Sequence, residues 1–437
     1  MVYVLMLVVV AYASICGAQT RTQDLILRAD DGDVDDQLGS SVAMSGDRVV
    51  VGAPLEDEAN INAGAVYVFD AETGTQKRKL VVDDAGETLL FGTAVAIDGG
   101  FIAVSALGDS TNGPLSGAVY LFEESTGDLI RKIVPDDGVS NQFFGLSVDL
   151  HEGLLVVGGI YDSTQGGITG SAYVYDVKSG VLVSKLLADD GGHLDRFGES
   201  VSIEGNRVVV GAPHHTAGIG FAVGGVYVFD TQTGQQIEKL LPIETLPGAF
   251  FGKAVDLEGG RLAVGAPGGG SDTTDTGMAY VFDLNNGQAV ELLPDNAVPL
   301  DMVGQSVAVE GNIVFVGTLG GNYVTAFDVE TGHQQATLVS DSSAQNELLG
   351  SVVAARNSRL AAGQSGDDFF GVNSGAALIF DLSCSADTDN DGALTPADFN
   401  AWVNAFNNNL PACDQNGDGA CTPADFTAWI ANFNAGC

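Results

Sequence analysis

Basic residues are scarce in this chain. Its 437 residues contain 17 Lys plus Arg against 57 Asp plus Glu, which gives a formal net charge of −40. An electrostatic field of this sign repels nucleic acids and anionic lipid surfaces, so both classes are poor partners. Cations, basic proteins and neutral glycans remain open as partners.

Long apolar runs are scarce as well. The one strong run, MVYVLMLVVVAYASICGA over residues 1–18, is too short to span a membrane and ends in small residues. It predicts a signal peptide that is cleaved before Gln19. No later run reaches the roughly 18 apolar residues of a spanning helix. The sequence therefore predicts a secreted or cell-surface protein without a membrane span.

Cysteine is absent from most of the chain. Apart from Cys16 in the predicted signal peptide, the cysteines are Cys384, Cys413, Cys421 and Cys437, all within the last 54 residues. An even set in an exported chain predicts disulfides, and four cysteines allow three pairings. We favour Cys413 with Cys421 and Cys384 with Cys437, although the sequence alone leaves the pairing open.

Helical periodicity is nearly absent before residue 390, and one phrase recurs in its place. FGESVSIEGNRVVVGAP, which starts at Phe197, has counterparts that start at residues 38, 91, 144, 251, 303 and 349. Each copy predicts a β-hairpin, and a third apolar strand, a tight turn and a fourth strand follow it. Seven units of four strands predict an all-β fold, a seven-bladed β-propeller.

The two ends of the repeat array complement each other. The last copy stops at Asp381 after three strands, whereas residues 24–31 resemble a fourth strand with no unit before them. We therefore expect the N-terminal strand to close blade seven, so that the ring has no open seam.

Charged residues also recur with the blades. Lysines at equivalent places on the predicted outer strands indicate protection of exposed edges against pairing with other chains; they are Lys79, Lys132, Lys185 and Lys239. Paired aspartates precede four units, at residues 30–31, 83–84, 136–137 and 189–190. We interpret them as turn caps, because a catalytic site needs one asymmetric constellation. For the adjacent His214 and His215 we favour a loop-surface role over metal binding.

The recurring FG and GAP phrases resemble the FG-GAP repeat, the blade of the seven-bladed propeller in integrin alpha subunits and in many exported bacterial proteins. The resemblance covers residues 24–383 and implies one propeller domain over residues 19–383. It does not imply an activity, because propellers carry unrelated functions.

The character of the sequence changes over residues 384–437. DTDNDGALTPADF from Asp387 and DQNGDGACTPADF from Asp414 are related by 27 residues. Each places oxygen ligands at loop positions one, three, five and twelve and a Gly at six, which is the spacing of a calcium loop. The predicted side-chain ligands are Asp387, Asp389, Asp391 and Asp398 for one ion and Asp414, Asn416, Asp418 and Asp425 for the other. The carbonyls of Ala393 and Ala420 are expected to contribute.

A short helix is expected after each loop. Thr-Pro-Ala-Asp is typical of a helix start, with Thr at the cap and Pro at the first position. Apolar residues then follow at helical spacing: Phe399, Trp402, Val403 and Phe406 in one copy and Phe426, Trp429, Ile430 and Phe433 in the other. We expect these stripes to pack the two helices together in a small α-helical, tandem EF-hand-like domain.

This tail resembles a dockerin of the bacterial type that ends in Gly-Cys. The resemblance implies two calcium ions and a role in anchoring, with a cohesin-like domain as the partner in the family. The residues before each position-twelve Asp are Pro396, Ala397, Pro423 and Ala424, which differ from the hydroxyl-bearing pair of cellulosomal dockerins. The implied partner is therefore an extracellular or envelope protein or glycan.

Three functions are compatible with this sequence. The first is an exported, non-enzymatic binding or adhesion protein whose propeller presents a surface and whose tail anchors it. The second is a glycan hydrolase or lyase, and the third is a structural envelope component. Unique His, Arg or carboxylate residues that converge on one end of the ring would favour an enzyme. The loops contain no recognisable nucleophile, triad or metal set, so no catalytic residue is assigned.

Overall fold

The computed structural model describes residues 19–83, 88–163, 167–216, 221–244, 246–269, 275–342, 347–382, 388, 396–408, 410–413, 415 and 420–435. The chain forms two compact units. One covers Thr20–Phe380, and the other contains Asp381–Cys437. Among the helices of the described residues, none is long and apolar enough to cross a membrane.

The larger unit is the seven-bladed propeller that the repeats predicted. Its first three blades, from the axis outward, are β3 (Ser41–Ser45), β4 (Arg48–Ala53), β5 (Ala65–Asp70) and β6 (Gln76–Leu80); β7 (Phe91–Asp98), β8 (Phe101–Ala106), β9 (Ala118–Glu123) and β10 (Leu129–Ile133); and β11 (Ser147–His151), β12 (Leu154–Gly159), β13 (Ser171–Asp176) and β14 (Leu182–Leu186). Blades four and five are β15 (Ser200–Glu204), β16 (Arg207–Ala212), β17 (Gly225–Asp230) and β18 (Gln236–Leu240); and β19 (Ala254–Glu258), β20 (Arg261–Ala266), β21 (Met278–Asp283) and β22 (Gln288–Leu292). Blade six is β23 (Ser306–Glu310), β24 (Ile313–Gly317), β25 (Tyr323–Asp328) and β26 (Gln334–Val339), and blade seven has β27 (Val353–Arg356), β28 (Arg359–Gln364) and β29 (Ala376–Asp381).

The N-terminal segment closes the ring, as predicted. β2 (Leu25–Leu27) pairs with β29 in antiparallel register and becomes the outer strand of blade seven. The innermost strands contact one another in a closed circle in which β27 meets β3. A second strand was not predicted: β1 (Gln19–Thr22) adds to the outer edge of blade six beside β26. The N-terminal segment thus joins blades six and seven.

The buried apolar residue before each FG glycine, which is Phe in blades two to five, Leu in blades one and seven and Val in blade six, packs between two consecutive blades. Phe197 is 1% exposed and lies with Val156 and Val174 of blade three. Its ring also meets the rings of Tyr227 and Phe229 in its own blade edge-on, at centroid distances of 5.5 and 5.7 Å. Burying a Phe, Leu or Val side chain stabilises the fold by about 1.5–3 kcal/mol, so the residues at the seven equivalent positions hold the blades face to face.

The glycine of each FG pair allows the backbones of consecutive blades to approach closely. All seven copies have φ between +87° and +97°, which favours glycine: Gly39, Gly92, Gly145, Gly198, Gly252, Gly304 and Gly350. A Cβ on Gly198 would lie 2.4 Å from the Ser171 carbonyl oxygen of blade three. Beside it, Phe197 forms a parallel bridge with Gly170. The FG pair is therefore the contact by which each blade joins the preceding one.

Side chains of the innermost strands bind the backbone of the next blade, and in blades three to five the third residue of the strand does so. Asp149 accepts a hydrogen bond from the Ile203 N–H at 2.8 Å, and Asp256 accepts one from the Val309 N–H at 2.6 Å. Ser202, at the same position in the blade between them, accepts one from the Leu257 N–H at 3.1 Å. Burial raises the pKa of Asp149 to about 6 and that of Asp256 to about 7. Both carboxyl groups are thus poorly solvated as anions.

Replacing the FG glycine of blade four tests this contact. Gly198→Ala places a Cβ against the Ser171 carbonyl and should lower the free energy of unfolding by about 3 kcal/mol or more. Gly205→Ala in the same blade is the control, because its φ is +55° and nothing lies within 4 Å of the added Cβ; its loss should be about 1 kcal/mol. Urea unfolding followed by circular dichroism measures both. Equal losses would show that close approach is not the reason for the glycine.

The buried aspartates predict a dependence of stability on pH. Their pKa values are raised above the usual 3.8, so folding favours the protonated forms and their contribution declines as pH rises from about 4 to 7. Asp256→Asn should therefore stabilise the fold at pH 8 by about 2 kcal/mol and change little at pH 4.5. The exposed Asp189→Asn, which removes one negative charge elsewhere, is the control. Denaturant unfolding at both pH values measures the change in stability. If Asp256→Asn and Asp189→Asn changed the free energy of unfolding equally at both pH values, the buried carboxyl group would not be the cause.

Candidate functional site

The outer-strand lysines of blades one to four point into the blades. Each ammonium lies 5.0–5.6 Å from the ring centroid of a third-strand tyrosine: Lys79 over Tyr67, Lys132 over Tyr120, Lys185 over Tyr173 and Lys239 over Tyr227. In blades one to three the lysine also pairs with a buried acid from the loop after the second strand, namely Glu56, Asp109 or Asp162, at 2.6–2.9 Å. Because these lysines are only 17–27% exposed, the predicted edge protection is wrong.

The paired aspartates also belong to these clusters. Asp31, Asp137 and Asp190 lie 2.5–2.6 Å from the lysine of the blade that follows. The role of these three aspartates is structural, as predicted. Turn capping was the predicted role, and the structure adds an ion pair from the crossover segment to the lysine of the next blade. Asp84 lies outside the described residues.

His215 replaces the loop acid in blade four. It is buried, with Nδ1 2.7 Å from Asp195 and Nε2 2.8 Å from the Lys239 ammonium. Since the ammonium can only donate, Nε2 accepts and the Nδ1–H donates to Asp195. The expected loop-surface role is therefore wrong for His215. Blades five and six have Gly269 and Gly321 at this position and, opposite the third strand, Glu291 and Thr337 in place of the lysine.

A pocket of about 250 Å³ lies where blades four, five and six meet. Its lining residues belong to loops before the first strand and after the second strand of these blades. They are Arg196, Glu199, Pro213, His214, Phe250, Lys253, Pro267, Gly268, Asp275, Met302 and Gln305. All of these loops open on one end of the ring, because an up-and-down blade places them on the same side of its sheet.

The pocket lies where the repeats differ in charge. The residue after FG is Ser40, Thr93, Leu146 and Ser351 in blades one, two, three and seven, but Glu199, Lys253 and Gln305 in blades four to six. The residue before FG is Arg196 in blade four and is uncharged in the other six copies. An identical framework therefore carries unlike side chains at this one place.

An ion-pair triad organises the pocket. The Glu199 carboxylate, whose side chain is 8% exposed, lies 2.7 Å from the Lys253 ammonium and 3.5 Å from Nη1 of Arg196. The two cationic side chains are each about one-third exposed. The carboxylate thus holds both cations at the pocket wall and balances only one of their charges.

An aromatic pair forms another part of the wall. The rings of His214 and Phe250 lie 5.1 Å apart. Burial, together with the nearby charges of Arg196 and Lys253, lowers the pKa of His214 from its ordinary value. The site therefore favours the neutral imidazole, which can both donate and accept a hydrogen bond.

Four lining residues have left-handed backbones: Arg196, Phe250, Asp275 and Met302, with φ between +52° and +55°. Gln37, Leu90, Phe143 and Leu348 adopt the same conformation at the positions that correspond to Arg196 in other blades. The conformation therefore belongs to the propeller framework, and only the side chains it presents are specific to the pocket.

The smaller unit contains the two expected helices. α1 (Pro396–Asn408) and α2 (Pro423–Ala435) pack through Trp402 and Trp429, which are each 5% exposed. Val403, Phe406, Phe426 and Ile430 surround them, and Phe399 lies 5.3 Å from Trp429. The expected packing of the two stripes against each other is confirmed for these residues, whereas the side chain of Phe433 lies outside the described part.

A disulfide links Cys413 with Cys421, which is the first of the two favoured pairings. Cys384 and Cys437 lie outside the described residues, so their pairing stays a prediction. The bridge joins the segment after α1 to Cys421, two residues before α2 begins at Pro423.

Two of the predicted side-chain ligands of calcium lie in the described part. Asp398 and Asp425 have no exposed surface. Asp425 accepts hydrogen bonds from the backbone N–H groups of Gln415 at 3.0 Å and Thr422 at 2.6 Å. The other predicted side-chain ligands and the Ala393 carbonyl lie outside the described residues, while Ala420 is exposed.

The composition of this unit bears on those buried carboxylates. Residues 384–437 contain seven aspartates and no Lys, Arg or His. Buried ionised carboxylates require a compensating positive group, and here no side chain can supply one. Backbone N–H groups provide part of the compensation, and a bound cation fits the remainder.

Five segments of the chain match the FG-GAP repeat, at residues 22–69, 75–122, 128–175, 181–229 and 235–282. Each runs from the outer strand of one blade to the third strand of the next, so every matched repeat crosses a blade boundary. No curated protein matches the chain. Because the matched segments cover more than half of the sequence and coincide with the blades observed, the chain belongs to the FG-GAP repeat family.

Proposed function

We propose that this protein is an exported, non-enzymatic binding or adhesion protein. Its propeller presents an interaction site, and a calcium-binding tail anchors it to an extracellular or envelope protein or glycan. The FG-GAP propeller fold is consistent with a binding role. The observation that carries the proposal is the pocket at blades four to six, where charged side chains stand at positions beside FG that are uncharged in the other blades.

The pocket chemistry favours binding over catalysis. Charged groups do converge at one end of the ring, as an enzyme would require. However, glycoside hydrolysis generally uses two carboxyl groups, and here both oxygens of Glu199 lie in ion pairs, which leaves Asp275 alone. The described lining residues include no Ser, Thr or Cys nucleophile. Among the described lining residues, no second carboxyl group is left to act with Asp275, so the arrangement holds charges in place without the carboxyl pair of a glycoside hydrolase.

Calcium in the tail is part of the proposal. Asp387, Asp389, Asp391 and Asp398 would hold one ion, and Asp414, Asn416, Asp418 and Asp425 the other, with carbonyl oxygens from Ala393 and Ala420. Bound calcium supplies positive charge and so relieves repulsion among these carboxylates. Its support is the complete burial of Asp398 and Asp425 in a segment that lacks basic side chains.

Export and anchoring rest on the two ends of the chain. The apolar N-terminal segment over residues 1–18 favours secretion, and the Cys413–Cys421 disulfide suits an oxidising compartment. The dockerin-like pattern of the tail favours attachment to a cohesin-like or other envelope component. The propeller would then be displayed at the cell surface.

Calcium binding is testable with a built-in probe, because both tryptophans of the chain, Trp402 and Trp429, lie in the tail. Calorimetry on the full mature chain should give two calcium ions, and Asp398→Asn or Asp425→Asn should each reduce this to one. Calcium should also raise the midpoint of the thermal transition seen by tryptophan fluorescence. The exposed propeller variant Asp368→Asn is the control. A transition that is identical in calcium and in chelator would refute the ion sites.

Anchoring is tested with the same chains on the envelope fraction of the producing cells. Wild-type protein should be retained in calcium and released by chelator, and the Asp398→Asn/Asp425→Asn double variant should not be retained. Retention that depends neither on calcium nor on these residues would remove the tail from the anchoring role.

A further inference from the structure

We propose that the pocket at blades four to six binds the carboxylate group of a small ligand, through Arg196 and Lys253. This inference rests on the proposed binding function and names the chemistry of its ligand. The class comprises compounds of roughly monosaccharide or amino-acid size that carry one carboxylate beside polar groups.

Arg196 and Lys253 have N–H donors that the hydrogen bonds to Glu199 do not use. Arg196 contacts Glu199 only through Nη1, at a long 3.5 Å, so most of its guanidinium is unused by the described residues. Within the described part of the chain the Lys253 ammonium makes one hydrogen bond, to Glu199 at 2.7 Å, and an ammonium has three donors. Since both side chains are about one-third exposed, a ligand can reach them.

Glu199 prepares the site for an anion. Buried beside the two cations, it limits their movement before a ligand arrives, which reduces the entropy that binding must remove. Glu199 balances one of the two positive charges, and with Asp275 on the same pocket wall the four groups are formally neutral. The anion is therefore selected by the donors of Arg196 and Lys253 and not by net charge. A guanidinium matches a carboxylate in a two-pronged geometry, so Arg196 would set the orientation and Lys253 would add charge.

The net charge of the chain makes this placement informative. A molecule at −40 repels anions at long range, and only 17 basic residues are available to it. At physiological ionic strength that repulsion is screened beyond about 8 Å, so short charge-assisted hydrogen bonds decide binding within the pocket. Two cations at one pocket therefore favour a short-range anion site and not general electrostatic attraction.

The remaining walls limit what accompanies the carboxylate. Phe250 and Met302 offer apolar surface, while Gln305, Asp275 and the neutral His214 offer hydrogen-bonding groups. A pocket of about 250 Å³ admits one sugar ring or one amino-acid residue. Acidic sugars and acidic peptide side chains share this chemistry, and the experiment separates them.

The experiment measures binding to the full mature chain in calcium by calorimetry, with D-glucuronate, N-acetyl-L-aspartate amide and neutral D-glucose as probes. At least one of the two carboxylates should bind and glucose should not. Arg196→Gln and Lys253→Gln should each weaken binding about tenfold or more. Arg196→Lys keeps the positive charge but cannot form a bidentate pair with a carboxylate. Its affinity for the carboxylate should lie between that of Arg196→Gln and that of the wild type. Lys178→Gln removes one positive charge from a turn of blade three and should have no effect.

Each outcome assigns the ligand class or overturns the inference. Binding of glucuronate alone assigns an acidic glycan, binding of the aspartate amide alone assigns an acidic peptide, and binding of both assigns the carboxylate itself. The inference is overturned if neither binds, if glucose binds equally well, or if folded Arg196→Gln and Lys253→Gln proteins bind like wild type. Calcium-dependent retention on envelopes uses the tail, so its success or failure is read separately.

Discussion

The structure depends on one close contact, the approach of each FG dipeptide to the backbone of the preceding blade. Only a glycine fits beside the neighbouring carbonyl, as Gly198 does beside Ser171, and a buried apolar side chain, such as Phe197 or the smaller Val303, fills the space next to it. Seven repetitions of this contact fix the angle between blades, and β2 completes blade seven so that the circle closes. The FG phrase recurs in the sequence because each contact between blades requires these residue types.

A framework that repeats seven times leaves function to the places where it is not uniform. The left-handed residue before each FG pair has the same backbone conformation in every blade, yet it presents Gln37 in one blade and Arg196 in another. The Lys–Tyr–acid clusters of the first blades are variations that stabilise, because their charges are paired inside the protein. The pocket at blades four to six is a variation that leaves donors unused.

Much of the fold could be predicted because its causes are local or repeated. The repeat period and the alternation of apolar and polar residues predict the FG pair Phe197-Gly198 and the strands beside it. The similarity to a fourth strand of the repeat predicts the closing strand at Leu25–Leu27. The inward orientation of Lys79 could not be read in this way, because its partner Asp31 lies 48 residues away in a crossover loop. β1 was missed because four residues, QTRT, carry no strand pattern. The pocket was missed because it combines three blades, although comparing the residues after FG would have indicated it.

The repeats build the ring, and their differences build the pocket. The most direct test gives the pocket positions the residues that other blades use there: Arg196→Phe and Glu199→Leu, as in blade three, and Lys253→Thr, as in blade two. Unfolding midpoint and carboxylate binding are then measured on the same protein. The account predicts a folded ring of nearly unchanged stability that no longer binds the carboxylate. A folded variant that binds as tightly as the wild type would contradict it.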